Sequence, residues 1–196
     1  MTNKSYCSHR RGTQGGATLI EVLVSLVILM LGLLGLVGLM IQSQRAQLDS
    51  YQRVQALLLL QDMASRINAN KAAAACYVTA TYIGTGNETV PAASACLVGT
   101  AEQKARVARD MTEWRDLLLG SAELATPGGD KVGAVLGARG CVVKDPASDL
   151  YQVSIAWQGG GATAAPPAGI TCGQGLYGDE AARRAVSLTV QITNFS

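Results

Sequence analysis

From Ala17 to Ile41 the chain reads ATLIEVLVSLVILMLGLLGLVGLMI, a run broken by only three polar side chains, Thr18, Glu21 and Ser25. At ~1.5 Å per residue a helix of this length reaches about 37 Å, enough to cross the ~30 Å hydrocarbon layer of a bilayer. Past Ile41 the pattern turns amphipathic, with no proline or glycine before Gly84 and apolar residues at Leu48, Tyr51, Val54, Leu57, Leu58, Met63, Ala64 and Ile67. That is helical spacing, and it predicts one buried stripe. The two patterns predict one continuous N-terminal helix over 17–71, on the order of 80 Å long, whose first part (17–41) spans a membrane and whose second part packs on a domain. A coiled coil fits poorly, because the heptad is not sustained and the flanking charge pairs are absent.

Farther along, the strand candidate Tyr77 to Ile83 lies in an Ala-, Thr- and Gly-rich stretch that leads to a second helix, Ala101 to Leu119. On that helix Val107, Met111, Trp114 and Leu118 share a face, with Trp114 as the core anchor. Glu102, Asp110, Glu113 and Asp116 interleave with Lys104, Arg106, Arg109 and Arg115, which reads as a solvated face and not as paired catalytic carboxylates. Thr126-Pro127-Gly128-Gly129-Asp130 is a turn signal. Period-two alternation then predicts strands at Gly140 to Lys144, Leu150 to Gln158 and Ala185 to Ile192. Tyr151, Val153, Ile155 and Trp157 point one way, and Gln152, Ser154 and Ala156 the other. Val186, Leu188, Val190 and Ile192 alternate with Ser187, Thr189 and Gln191. An antiparallel sheet with one buried and one wet face follows. Between the last two strands, Gly159 to Gly178 holds seven glycines and two prolines and reads as an exposed loop. Helix first and sheet last is an α+β order.

Composition sharpens this picture. The chain of 196 residues is 48% hydrophobic and 15% charged, against a usual ~25% charged, which excludes a polar disordered protein. The length suits one domain with an appendage. Three of the 16 basic residues, Lys4, Arg10 and Arg11, precede the apolar run, and no acid does, so the remainder carries 13 basic against 14 acidic residues. A body so nearly neutral lacks the cationic field that nucleic-acid binding requires. The lone histidine, His9, also lies in the leading segment, which removes the commonest general base and metal ligand from the rest of the chain. Those basic residues put the amino terminus in the cytoplasm and everything after Ile41 outside.

Glu21 is the anomaly of the apolar run. An acid inside a membrane helix costs roughly 2.5 kcal/mol or more unless it is paired. A free ammonium at Ala17 of a neighbouring helix, staggered by about one turn, would supply the opposite charge in a low-dielectric seam. The bland reading has Glu21 near the interface, reaching the headgroups. Gly32, Gly35 and Gly38 recur every third residue, each at about 1 kcal/mol relative to alanine in water, and form a small-residue stripe for close helix approach or local loosening. Glycine is also simply common in membrane helices.

The residues after the run, Gln42 to Gln47, offer no small-x-small cleavage site, so the helix stays attached. Before it, a basic leader ends in Gly15-Gly16 and is followed by Ala17-Thr18-Leu19-Ile20-Glu21. This resembles the type III signal of type IV prepilins. The resemblance implies a leader over 1–16, cleavage by prepilin peptidase between Gly16 and Ala17, and N-methylation of Ala17, where the family usually has phenylalanine. The Gly-Leu-Leu-Gly-Leu stretch, the helix ending near Arg66-Ile67-Asn68-Ala69-Asn70, the Trp114 helix, the Pro127-Gly128-Gly129 turn and the Tyr151 to Trp157 strand extend the likeness to the PilV-type minor pilins, the type IV pilus modification proteins. That likeness implies the type IV pilin fold, with a periplasmic globular domain over 72–196. It also implies a non-enzymatic minor subunit that helps initiate pilus assembly and enters the filament or its tip. Its partners would be major and minor pilins, prepilin peptidase and the inner-membrane assembly machinery, with no cofactor or metal. The protein would reside in the inner membrane before assembly and in the pilus on the cell surface afterwards.

Of five cysteines, Cys7 lies in the leader, and Cys76, Cys96, Cys141 and Cys172 are exported. An even set in an oxidising compartment reads as two disulfides. Of the three connectivities, Cys76 with Cys96 and Cys141 with Cys172 is favoured, since each bridge would close a loop at a gain of roughly 3 kcal/mol. No two of the four have the two-to-four-residue spacing of zinc knuckles. Gly84-x-Gly86 and Gly159-Gly160-Gly161 lack the continuations of dinucleotide and phosphate loops. The rival functions are a pseudopilin of a type II secretion or DNA-uptake system, a signal-anchored periplasmic enzyme, and an adhesin using the Gly159 to Gly178 loop.

Overall fold

A computed structural model of the chain describes Gly16, residues 18–120 and residues 135–192. Ala17 and the Thr126 to Asp130 turn signal lie outside the described residues. The chain divides into two compact units, 1–44 and 45–196. Helix α1, Leu19–Ala69, begins in the first and ends in the second. Then come a 3-10 segment over Lys71–Tyr77, the short strand β1 (Ile83–Gly84), helix α2 (Ala101–Leu118), and strands β2 (Arg139–Lys144), β3 (Leu150–Gln158) and β4 (Arg183–Gln191). All neighbouring strands pair antiparallel in the order β1-β2-β3-β4. The α+β order expected from the pattern is the architecture observed.

The core of the second unit gathers Ala56, Leu60, Met63, Ala64 and Ile67 of α1, Val107, Met111, Trp114 and Leu118 of α2, and Val142, Tyr151, Val153, Ile155 and Trp157 of the sheet. These α1 positions recur at four- and three-residue steps, so one helical stripe faces the domain. It is not the whole stripe the sequence pattern predicts. Met63, Ala64 and Ile67 are buried, but Leu48, Tyr51, Val54, Leu57 and Leu58 remain exposed. The apolar positions after Ile41 therefore split into a core stripe near the carboxyl end of α1 and a second, solvent-facing one before it.

Two further expectations change. The strand candidate Tyr77 to Ile83 contributes only Ile83–Gly84 to the sheet. Tyr77 closes a 3-10 turn inside the core, and Thr79 meets β2 partly through its side chain, whose Oγ1 accepts the Val142 N–H at 3.1 Å while the Thr79 N–H donates to Val142 O. The second face of β3 is also not wet: Ser154 and Ala156 are buried. Cys141, Ala156 and Cys172 form a separate apolar cluster, flanked by Tyr82, Tyr177 and Ala185, under the loop that follows β3. That loop is mostly exposed, as expected, but dips inward at Cys172 and Gly173. On edge strand β4, Val190 is buried while Leu188 is exposed.

Helix α2 starts with a capping box: Thr100 Oγ1 accepts the Gln103 N–H at 3.3 Å, and Gln103 Oε1 accepts the Thr100 N–H at 2.8 Å. Its Trp114 is fully buried and lies across Gly140 of β2. A Cβ at Gly140 would overlap the Trp114 ring and come within 2.9 Å of Leu118 Cδ1. Only glycine lets helix and strand approach this closely. Gly140→Ala should therefore destabilise the domain by about 1–3 kcal/mol, the usual cost of overpacking a core. A denaturation midpoint unchanged from wild type would refute the close approach.

Candidate functional site

The residues singled out in the sequence concentrate on the first turns of α1. Gly16 is exposed and a Cβ there would meet nothing within 4 Å. Thr18 stands just before the helix and accepts the Glu21 N–H on its carbonyl at 3.0 Å and on Oγ1 at 3.4 Å. Thr18 and Glu21 thus hold the spacing of a helix start, with an acid in the turn where the backbone N–H groups leave partial positive charge. The Thr-x-x-Glu signal was visible in the sequence, and a capping role for Thr18 was missed beside the more conspicuous acid. Ser25, the third polar residue of the run, is satisfied within the helix, its Oγ donating to Glu21 O at 2.7 Å. The Glu21 carboxylate has no hydrogen-bonding or ionic partner among the described residues. Its expected partner is the Ala17 amine of a neighbouring subunit.

Around this acid the helix is uncovered. The most apolar eighteen-residue window of α1 has mean hydropathy 2.9 and none of it is buried. Side chains from Leu19 to Ile41 stand exposed, and at Gly32, Gly35 and Gly38 the space a Cβ would enter is empty. By length and composition this helix could cross a membrane. Among the described residues of the first unit, nothing shields this apolar surface.

In the second unit a polar cluster ties α1 to α2. Arg66 donates through Nε to Asp62 at 2.8 Å and through Nη1 to Glu113 at 2.6 Å and Asp110 at 3.2 Å. Asp110 also accepts from the Tyr77 hydroxyl, and Asn70 Nδ2 donates to Gln103 O at 3.0 Å. Trp114 Nε1 reaches back to Leu59 O at 3.0 Å. Asp110 is therefore buried, not part of the solvated face expected of it. Its position between Val107, Met111 and Trp114 on the helical stripe was the sequence signal for that burial. Burial works against the Arg66 charge, but the hydrogen bonds to Glu113 and Asp62 and the charges of Asp62 and Asp110 outweigh it, holding its pKa above the ordinary value.

Cys76 pairs with Cys96 and Cys141 with Cys172, at Cα separations of 5.4 and 5.8 Å. The first bridge closes the segment carrying Tyr82, and the second anchors the loop leading to Tyr177. The Arg139 guanidinium of β2 lies between these two rings, 5.2 Å from the centroid of Tyr82 and 4.5 Å from that of Tyr177. The cation stacks both cross-linked segments on one strand.

An exposed apolar helix with a single acid in its first turn, leading into a domain of helix and antiparallel sheet, is the architecture of the pilin class. Residues 11–37 match the prokaryotic N-terminal methylation motif, and residues 38–112 match the Tt1218-like family, described as type IV pilin Tt1218. Both matches lie within residues 11–112, the part of the chain that holds α1 and α2. No curated protein and no solved structure matches the chain.

The polar cluster yields a pH prediction. Burial, then the hydrogen bond to Asp110, pushes the Tyr77 phenol above its ordinary pKa of 10.0. The unfolded phenol ionises first as pH rises, so above about pH 10 the unfolded state binds fewer protons and stability falls. Tyr77→Phe should lower stability at neutral pH by about 1–2 kcal/mol and flatten the alkaline decline. Chemical denaturation of the full chain in steps from about pH 8 to 11 measures both, and an alkaline slope as steep as wild type would clear Tyr77 of the effect.

Proposed function

We propose that the protein is a minor subunit of a type IV pilus, of the PilV type, stored in the inner membrane and built into the filament or its tip. The observation that carries this reading is the apolar start of α1, Leu19 to Ile41, which is exposed throughout and holds in its first turn an acid with no partner among the described residues, within a methylation-motif match. On this reading prepilin peptidase removes residues 1–16 and methylates Ala17. The new amine of one subunit then meets Glu21 of its neighbour, and Gly32, Gly35 and Gly38 admit adjacent helices. The solvent-facing residues Leu48, Tyr51, Val54 and Leu58 offer a further apolar surface on the second unit. Contiguous exposed apolar surface of this kind marks an interaction site. The subunit acts by helping assembly begin and performs no catalysis of its own.

Processing is the first test. In cells carrying prepilin peptidase, the intact mass of the wild-type product should correspond to a chain beginning at Ala17, and Gly16→Val should keep its leader and reduce surface pili. A wild-type product still starting before Ala17 would defeat the reading. Deleting the gene should diminish pili while leaving secretion intact. Lost secretion with normal pili would instead mark a pseudopilin of a type II secretion system.

A further inference from the structure

Strand β4 closes one edge of the sheet, since β3 is its only strand neighbour among the described residues. The Ile192 N–H donates to Asp149 O and the Gly159 N–H to Ala182 O, so the even-numbered residues of β4 turn their backbone groups to β3. By alternation Ala185, Ser187, Thr189 and Gln191 turn theirs outward. None of these outward groups makes a hydrogen bond among the described residues, and Ser187, Thr189 and Gln191 are exposed. Edges of this kind are usually blunted by charge, proline or a bulge. Residues 185–191 carry no charge and no proline, and the β3–β4 register runs without a bulge. On the core side of the strand, Leu188 is 40% exposed although its cross-strand neighbour Val153 is fully buried. The apolar row of the sheet thus ends on a half-covered side chain.

The same edge borders a cavity of about 330 Å³, lined by the β2–β3 hairpin from Val143 to Pro146, by Leu150 and Gln152 of β3 and by Thr189 of β4. Val143, Gln152 and Thr189 lie in one cross-strand row, on the face of the sheet opposite the core. The two charges of the lining offset each other and are already engaged, Lys144 with Asp149 at 3.1 Å and Asp145 with the Ser148 hydroxyl at 2.9 Å. The cavity therefore suits an uncharged side chain. A residue pairing with Thr189 from beyond the edge would stand on this same face, with its Cβ about 5 Å away. Open main-chain groups along an edge match only an extended polypeptide, and a pocket beside them selects one of its alternate side chains. A second copy of β4, antiparallel and centred on Leu188, would reach every outward group but would set Ser187 against Thr189 and leave the cavity unfilled.

We infer that β4 takes up an extended, uncharged segment of another protein as an added antiparallel strand, with a large apolar side chain opposite Thr189 seated in the cavity. The inference concerns the second unit alone and stands or falls separately from the pilus reading.

The test uses the full chain in maltoside micelles, with its backbone amides followed by NMR and by hydrogen exchange. The probe is a synthetic peptide of the 185–192 sequence carrying Ser187→Phe, with terminal lysines for solubility. The amides of Ser187, Thr189 and Gln191 should shift saturably and gain protection, while those of Leu188 and Val190, which face β3, stay as they are. N-methylation of the peptide along the edge that meets β4 should weaken binding by about tenfold or more, and methylation along its far edge should not. Thr189→Pro removes an outward donor, spares the β3 ladder and should weaken binding to a similar degree. The two methylated peptides give the same answer on the unaltered chain. The peptide that keeps its serine should bind about tenfold more weakly than the one with phenylalanine. Outward amides that do not respond, or equal binding whichever edge is methylated, would overturn the inference. Equal binding of the serine and phenylalanine peptides, or self-association of the chain that Thr189→Pro abolishes, would overturn the assignment to another protein and give the edge to a second copy.

Discussion

A carboxylate carried into a bilayer by an apolar helix must be paired, neutralised or lifted to the surface, and each alternative constrains everything attached to it. On the proposed reading Glu21 occupies that position. The other polar residues of the run are satisfied locally, Thr18 by capping the helix and Ser25 by donating to the Glu21 carbonyl. What remains is one acid whose partner must come from outside the described residues. The proposed partner is an amine created only by cleavage after Gly16, which would make the maturation step and the assembly step one electrostatic event. Attraction across a low-dielectric seam is strong, and it is offset by the cost of removing both charges from water. A pairing of that kind favours register over raw affinity.

The second unit answers a different demand. A helix that leaves much of its apolar surface uncovered needs a carboxyl-terminal stretch held firmly by its own domain. The buried stripe of Ala56, Leu60, Met63, Ala64 and Ile67 provides the apolar part of that hold. Arg66, bridging Asp62, Asp110 and Glu113, provides the polar part. Removing one partner from such a half-buried group leaves charges uncompensated, so the cluster acts as a latch between α1 and α2 and not merely as surface decoration. Gly140 permits α2 to sit directly on the sheet. The two disulfides and the Tyr82–Arg139–Tyr177 stack hold the remaining irregular segments against β2.

Much of this was legible in the residues. The apolar run, the α2 face built on Trp114, and the whole of β3 follow from periodicity alone, because each is long enough for its pattern to be unambiguous. The favoured cysteine pairing followed from the loops it would close, and the structure forms the same pairs. The failures share a physical origin. The stripe on α1 was overextended because Leu48, Tyr51 and Val54 have the same spacing as core residues, and spacing does not say what a face packs against. Asp110 was assigned to solvent by its charge, although its position lies on the buried stripe and Tyr77 and Arg66 supply its partners. Ser154 and Ala156 were assigned to a wet face because the covering loop returns from far along the chain, at Cys172. At the start of α1 the acid Glu21 was conspicuous in the sequence, while its capping partner Thr18 was hidden by being ordinary.

The account is tested most directly by neutralising Glu21 without changing its shape. Glu21→Gln and Glu21→Asp chains, each expressed in place of the wild type, would be quantified by immunoblot in sheared pili and in the inner membrane, with the mature mass checked in both fractions. The charge pairing predicts that the Gln chain matures and accumulates in the membrane while its share in pili falls by about tenfold or more, equivalent to roughly 1.4 kcal/mol, and that the Asp chain keeps an intermediate share. A matured Gln chain entering pili at the wild-type level would contradict it.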